Sequence, residues 1–350
     1  MTRSDEANHG VVVENQWYDD WIETNIPDLT GKVAIITGSN SGTGFWAANA
    51  LAKNNCTVVL ACRNTQKAEA AKKEIMERYP SAKVDVIGVL DNMDLITVRS
   101  FAETFNKKYD RLDFLLNNAG IMAQPKIESK DGYDIQFQTN HLSHFLLTKL
   151  LWKKLVETPG ESRVVQHSSG AHHMGCPRFD SSKINDPTYD WGFLGVNSLL
   201  WNVMLPLMGF KPVDNWIRYF SSKLCNVLFA KELARKIEAS SSSTSTTSSV
   251  LSLACHPGYA NTNLQNAAKD SMNNWEKMNA GNAQSAADGS LPLLMAAVGA
   301  GLKQGDYTGP DKNMKGPPIV TPVKGNGENK AMAEDLWTFS EKCIKDSFDV

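Results

Sequence analysis

A chain of 350 residues with 42% hydrophobic content can bury a large core, as one big domain or two modest ones. Its net charge of −2 offers no basic field to a nucleic acid. The six cysteines (56, 62, 176, 225, 255 and 343) are scattered without a CxxC pair, which excludes a disulfide framework or a zinc motif and points to free thiols in a reducing compartment.

The first ten residues, MTRSDEANHG, have neither the apolar run of a signal peptide nor the Arg-rich look of a transit peptide. Residues 1–30 read as a polar leader with an aromatic patch, WYDDW, ahead of a single domain over 31–345. Within it, β-branched apolar runs predict strands at 32–37, 57–62, 84–90, 112–117, 163–168 and 250–255, with a short seventh at 305–309. Amphipathic stretches such as 64–79 and 95–109 predict helices between them. This alternation implies an α/β fold: a doubly wound parallel sheet of about seven strands with helices on both faces.

Two stretches break the alternation. Residues 240–249, SSSSTSTTSS preceded and followed by regular patterns, cannot bury enough surface to fold and read as a solvated loop. Residues 174–218 form an insertion whose centre, WGFLGVNSLLWNVMLPLMGF at 191–210, is uncharged but interrupted by Gly192, Gly195, Asn197, Asn202, Pro206 and Gly209. Those breakers argue against a transmembrane helix, so a cytoplasmic protein, or one resting loosely on a membrane through 191–210, is expected.

After the first strand comes TGSNSGTG, with Gly38, Gly42 and Gly44, followed by the helical FWAANALAK. Glycines at a strand-to-helix turn let backbone N–H groups approach a pyrophosphate at the positive end of the helix. The second strand closes on Cys62 and Arg63 with no acidic residue there to hold ribose hydroxyls. A guanidinium pairs with a 2′-phosphate, so the pattern prefers NADP(H) to NAD.

Further motifs follow in order: NNAG at 117–120, Asn140 in QTNHLSHF, Ser169 in HSSGAH, Tyr219 with Lys223 in YFSSK, and HPGYANT at 256–262. Together they strongly resemble the short-chain dehydrogenase/reductase family over roughly residues 22 to 345. ACRN, NHLSHFLLTKLL and SSKLCNVLFAKELAR are most similar to its retinol-dehydrogenase-like and protochlorophyllide-reductase-like branch. The resemblance implies a Rossmann fold of strand order 3-2-1-4-5-6-7. It implies cofactor contacts from Gly38, Ser39, Asn40, Ser41, Gly42, Thr43, Gly44, Arg63 and Asp91. Further contacts are implied at Asn117, Asn118, Ala119, Gly120, Tyr219, Lys223, Pro257, Gly258 and Thr262. Thr43, Asn92 and Ser143 depart from the family pattern, Thr43 where an apolar residue helps helix–strand packing.

Tyr219 and Lys223 stand four apart on one helical face. A phenol of ordinary pKa about 10 needs a neighbouring cation to serve as acid–base catalyst near neutrality. Tyr219 is thus the expected proton donor or acceptor, Lys223 its cation and the holder of the nicotinamide ribose. Ser169 is the expected second hydrogen-bond donor to the reacting oxygen. As the resemblance implies, the reacting serine is the second of the Ser168–Ser169 pair, and Asn140 supports a water leading protons from Lys223 to solvent. His172 and His173 lack a third ligand at suitable spacing, so no metal site is expected; Cys225 reads as a buried filler.

The expected activity is NADP(H)-dependent interconversion of a carbonyl and an alcohol on a lipophilic small molecule, retinoid-, steroid- or aldehyde-like. Two alternatives stay open: a C=C reductase of the protochlorophyllide-reductase type, and a non-catalytic NADP-binding scaffold. Ser169 and Tyr219 are separated by 49 residues, so the 191–210 stretch enters and leaves near the mouth of the site and reads as a lid or pocket wall. A homodimer through the helices carrying Asn140 and Tyr219 is compatible with the resemblance.

Overall fold

The computed structural model describes residues 13–125, 127–177, 207, 213–241, 249–264 and 283–350. The apolar β-branched runs become strands buried on both faces, as a parallel sheet sandwiched between helices requires. They are β1 (Val33–Thr37), β2 (Thr57–Ala61), β3 (Lys83–Asp85), β4 (Phe114–Asn117), β5 (Glu161–His167), β6 (Ser249–Cys255), β7 (Tyr307–Pro310) and β8 (Pro318–Val320). Their spatial order is 3-2-1-4-5-6-7-8, parallel throughout except that β8 returns antiparallel along β7. The order through the seventh strand is the expected one, and β8 is an addition at the edge.

Helices fill the crossovers: α1 (Tyr18–Asn25), α2 (Gly42–Lys53), α3 (Thr65–Arg78), α4 (Leu95–Lys108), a single turn α5 (Ile135–Phe137), α6 (Ser143–Glu157), α7 (Val213–Ser241), α8 (Ala286–Val298) and α9 (Lys330–Ile344). Starts follow capping chemistry: Asn64 Oδ1 accepts from Lys67 N at 2.9 Å and Asp94 Oδ1 from Ile96 N at 3.1 Å. One core layer packs α4, α6, α7 and α9 on one face of the sheet, with Phe105, Phe145, Phe229 and Trp337 among its members. The other packs α1, α2, α3 and α8 on the opposite face, around Phe45, Trp46, Leu51 and Leu294. Strand ends β1, β4, β5 and β6 therefore open on a common edge, where a ligand site of this architecture lies.

Two boundaries differ from expectation. The third strand stops at Asp85, five residues early: Asp85 accepts from its neighbour Val86 N and from Tyr109 OH, Gly88 sits at φ +155°, and pairing resumes only as a Cys62–Val89 bridge. The leader is likewise not separate from the domain. Its aromatic patch forms α1, with Tyr18 and Ile22 in the second core. The fully buried Asp288 carboxylate accepts from Gln16 N (2.8 Å), Trp17 N (2.9 Å) and Tyr18 N (2.9 Å), satisfying N–H groups at the head of α1. Tyr18 OH then donates to Trp46 O at 2.7 Å, fastening α1 to α2. The expected lid at 191–210, Leu207 apart, and the Ser/Thr tract from 242 to 248 lie outside the described residues.

Candidate active site

The glycine turn after β1 has the backbone its sequence requires. Gly38 and Gly42 take φ +67° and +57°, which side chains disfavour. A Cβ on Gly44 would lie 2.4 Å from Asn118 Nδ2 and 2.7 Å from Gly38 O, so only glycine permits this close packing. Asn118 ties the turn together: its Nδ2 donates to Thr37 O (2.8 Å) while Asn118 N and Ala119 N donate to Thr37 Oγ1 (2.9 and 2.8 Å). The departure at Thr43 is used here, since Thr43 Oγ1 donates to Asn118 Oδ1 at 3.0 Å.

The head of α2 faces a cleft of about 650 Å³. Gly38, Asn40, Ser41, Gly42 and Thr43 line one end of it; Asn118, Ala119 and Gly120 form its floor. Arg63 and Asp91 stand at the rim beyond β2 and β3, with Asp91 Oδ1 accepting from Met93 N at 3.1 Å. Pro257, Gly258 and Thr262 close the far side. Three expected contacts do not face this space. Ser39 is fully buried, with its hydroxyl donating to Ile36 O at 2.8 Å. Gly44 lies beneath the turn. Asn117 alternates to the other side of β4 and donates to Thr148 Oγ1 at 3.1 Å.

Such a cradle fits a dinucleotide: positive-φ glycines, an N-terminal helix end and a floor where added bulk is refused. A Cβ on Gly120 would stand 3.1 Å from Lys223 Nζ and 3.2 Å from Asn140 Oδ1. The chain thus keeps its backbone low beside the lysine.

Strand β5 ends at His167 and leads directly into Ser168 and Ser169, while α7 brings Tyr219 and Lys223 to the same edge, all five lining the cleft. The two serines divide their work. Ser168 Oγ donates to Lys223 O at 2.7 Å and is 2% exposed, whereas the Ser169 hydroxyl lies close enough to the Tyr219 phenol to act on it. Burial pushes the Tyr219 phenol up to about 12, and the Ser169 hydroxyl pulls the other way. Burial lowers Lys223 to about 8, and its ammonium donates to His167 O at 2.9 Å.

Asn140 sits in a π-helical turn, Gln138–Leu142, between α5 and α6. Its side chain grips the floor, accepting from Ile121 N (2.8 Å) and donating to Ile121 O (3.0 Å) and Ser222 Oγ (2.8 Å). Its carbonyl accepts from Asn226 Nδ2 at 2.6 Å and His144 Nδ1 at 3.0 Å, which uses both lone pairs. A water resting on that carbonyl would have to displace one of these donors.

The other end of the cleft is apolar. Met122, Trp216, Tyr219 and Phe220 form a buried cluster with Ala171, Met174, Tyr259 and Leu264 packed against it. Cys225, by contrast, is 1% exposed inside the first core and burial pushes its thiol up, as a filler would behave. Among the described residues no three metal-binding side chains gather, and no helix is long and apolar enough to cross a membrane.

Behind Tyr219, Arg218 pairs with Asp134 at 2.6 Å, both side chains at most 3% exposed. Asp134 also accepts from Gln136 N and Phe137 N, and Arg218 donates to Gln124 O at 3.1 Å, tying Gln124 and the Asp134 turn to α7. Removing one partner strands a buried charge. Asp134→Ala is expected to lower stability in urea unfolding by about 3 kcal/mol, and a loss below about 1 kcal/mol would show that the pair is not holding this turn.

A family model described as short chain dehydrogenase matches residues 32–181. The short-chain dehydrogenase/reductase drtF of Aspergillus calidoustus is 32% identical over 332 residues, 91% of this chain and 96% of that protein. The chain belongs to the short-chain dehydrogenase/reductase family. The fold of that family is one built for a nicotinamide cofactor. Retinol dehydrogenase 12 of Bos taurus is 36% identical over 236 residues, which are 67% of this chain but only 64%, under two thirds, of that protein. A crystal structure of an uncharacterised protein from Mycobacterium paratuberculosis superposes with a TM-score of 0.69 at 31% identity, covering 97% of this chain and 100% of the other. A short-chain dehydrogenase of Shigella flexneri, solved with NADP, shares the fold at 20% identity, TM-score 0.53, over 83% of this chain and 96% of that one.

The structure adds site residues that the motifs did not carry. His167 lines the cleft with Nδ1 2.7 Å from Asn118 Oδ1, and Tyr307 OH lies 3.2 Å from Ser169 O. His167 had one available signal, its place immediately before the serine pair; Tyr307, on the seventh strand, had none.

Proposed function

We propose that this protein is an NADP(H)-dependent reductase or dehydrogenase that interconverts a carbonyl and an alcohol on a lipophilic small molecule. The observation that carries the reading is the gathering of Ser169 with the buried Tyr219 and Lys223 in one cleft, beside the apolar wall of Met122, Trp216 and Phe220. The bound nicotinamide supplies the hydride for reduction and takes it back in oxidation. Tyr219 gives its phenolic proton to the carbonyl oxygen as that oxygen gains charge, and Ser169 donates a hydrogen bond to the same oxygen. Lys223 holds the nicotinamide ribose and sets a positive charge beside the phenol. Asn140 serves as a positioning residue: with its carbonyl already taken by Asn226 and His144, its part is to fix the floor at Ile121 and the Ser222 turn of α7.

An apolar pocket end supports a lipophilic substrate, as do relatives whose names are retinol dehydrogenases. The test is NADPH consumption with a panel of lipophilic aldehydes and ketones, retinal included. Turnover of at least one at the expense of NADPH is the expected result, and no consumption across the panel would sink the reading.

Arg63 at the rim, with no carboxylate at the end of β2, supports NADP(H) over NAD(H). Loss of one charge-assisted phosphate contact in Arg63→Ala is expected to raise KM for NADPH about tenfold or more and leave that for NADH unchanged. Equal KM values for wild type and variant with NADPH would remove Arg63 from the choice.

A further inference from the structure

Among the described residues no further metal-binding side chains gather at the His172–His173 pair, and His172 is 2% exposed and follows Ser169 by three residues. Ser169 leads into a 3₁₀ turn, Gly170–Met174, and its own carbonyl collects three donors: His172 N at 3.0 Å, His172 Nδ1 at 2.8 Å and Tyr307 OH at 3.2 Å. On its other side the ring meets the backbone that follows β8, where Lys324 N donates to His172 Nε2 at 3.3 Å. A carbonyl oxygen only accepts and a backbone N–H only donates. The ring must therefore carry its proton on Nδ1 and keep Nε2 bare.

We infer that His172 is a positioning residue for Ser169, acting as the neutral Nδ1-protonated imidazole that locks the Ser169 carbonyl and ties it to the 321–327 segment. The inference rests on the proposed role of Ser169 as donor to the substrate oxygen. The Ser169 side chain leaves the same Cα as this carbonyl, so holding the carbonyl fixes the backbone from which the hydroxyl is aimed, and the packing beside the turn is tight. Gly175 is pressed so closely on α7 that a Cβ there would sit 2.5 Å from Phe220 O, and one on Gly325 would sit 2.8 Å from His173 O. Two side chains hold the Ser169 carbonyl itself, His172 at 2.8 Å and Tyr307 at 3.2 Å, and His172 is the shorter contact.

The groups facing His172 favour its neutral form. On its own turn stands His173, with ring centroids 6.2 Å apart; from the 321–328 segment comes Lys324; from β7 and the end of β6 come the phenol of Tyr307 and the ring of His256. The nearest carboxylate of that segment, Glu328, is paired with Lys231 of α7 at 2.7 Å. Burial first, then His173 and Lys324, hold His172 below the ordinary histidine range. Protonation would add an N–H at Nε2 facing the Lys324 N–H and open the tether.

Two arms test this in the full chain. ¹⁵N NMR of histidine-labelled protein at pH 7.5, with His172 assigned from the His172→Asn variant, is expected to show a proton on Nδ1. An Nε2-protonated ring overturns the inference whatever the substrate proves to be. Kinetics supply the second arm. Asn at 172 places an amide donor near the Nδ1 position, whereas Gln reaches only to the level of Nε2. His172→Asn is expected to hold kcat within about threefold of wild type, while His172→Ala and His172→Gln lose about tenfold with both KM values within about twofold. Equal kcat for the Asn and Ala variants would make His172 a packing residue only and overturn the proposal. A wild type inactive on every carbonyl fails the proposed function instead, and the NMR arm then decides the inference alone.

Discussion

Moving from pH 7.5 to pH 5 is expected to remove most of this protein's folding free energy, well before its carboxylates titrate. His141, His144, His167 and His256 are all buried, and burial lowers them to about 3, 4, 3 and 3. Several of their bonds also demand a neutral ring. His144 Nε2 accepts from Asn92 Nδ2 (3.0 Å) and lies 2.9 Å from Thr37 Oγ1, while His256 Nδ1 accepts from Gly258 N at 3.3 Å. A histidine whose folded pKa is depressed contributes stability above its unfolded pKa of about 6.5 and loses it as pH falls toward the folded value. At pH 5 each site costs about 2 kcal/mol, or about 8 kcal/mol for the four, against a typical domain stability of 5–15 kcal/mol. Asp28 and Asp94 also titrate low, but their contribution is lost only as pH falls through the ordinary carboxylate range and below it. Thermal melts at half-unit steps should show Tm falling steeply between pH 6.5 and 5. A Tm constant over that interval would mean that these rings are charged, or solvated, in the folded protein.

The same histidines mark where the sequence stops being legible. A parallel sheet was readable because fully apolar β-branched runs have one comfortable home, a sheet covered on both faces, while the strand order came from the family resemblance. The glycine turn, Ser169, Tyr219 and Lys223 were readable because their chemistry fixes both residue type and local spacing. Thr43, Asn92 and Ser143, which depart from the family pattern, were not interpretable singly. In the fold they are halves of long-range contacts: Thr43 donates to Asn118, Ser143 Oγ donates to Asn92 O at 2.5 Å, and Asn92 in turn reaches His144. A partner about 50 or more residues away leaves no local trace, so Thr43 read as a loss of packing, and Asn92 and Ser143 as bare departures, instead of halves of polar contacts. The WYDDW patch failed for the same reason, because its counterpart Asp288 lies some 270 residues on. Asn117 and Asn118 show the opposite limit. The motif named both, and only the period-two alternation of β4 decides which one sees the cleft.

Replacing Tyr219 by Phe is expected to lower kcat for carbonyl reduction by about a thousandfold while leaving folding and NADPH binding intact. The variant loses one oxygen and keeps the ring, whose edge contacts with Trp216 (centroids 6.1 Å) and Phe220 (6.0 Å) hold the apolar wall in place. Ser169 remains to polarise the carbonyl, which sets the residual rate. NADPH fluorescence titration checks binding and single-turnover NADPH oxidation checks chemistry; a Phe variant within about threefold of wild type would end the acid–base role of this tyrosine and favour a binding scaffold. The pH dependence carries a second, signed test. Reduction consumes the protonated phenol, and with burial holding Tyr219 near 12 that form predominates at neutral pH in the cofactor-free protein. Alcohol oxidation needs the phenolate, so its rate should rise with pH, and the Lys223 cation that favours the phenolate is itself lost above about 8. Oxidation is therefore expected to climb from pH 6.5 and flatten near 8, while Lys223→Met, lacking the cation, climbs from a lower rate without that break. Both profiles have to be taken above pH 6.5, because below it protonation of the buried histidines empties the folded state and would mimic the loss of a catalytic base.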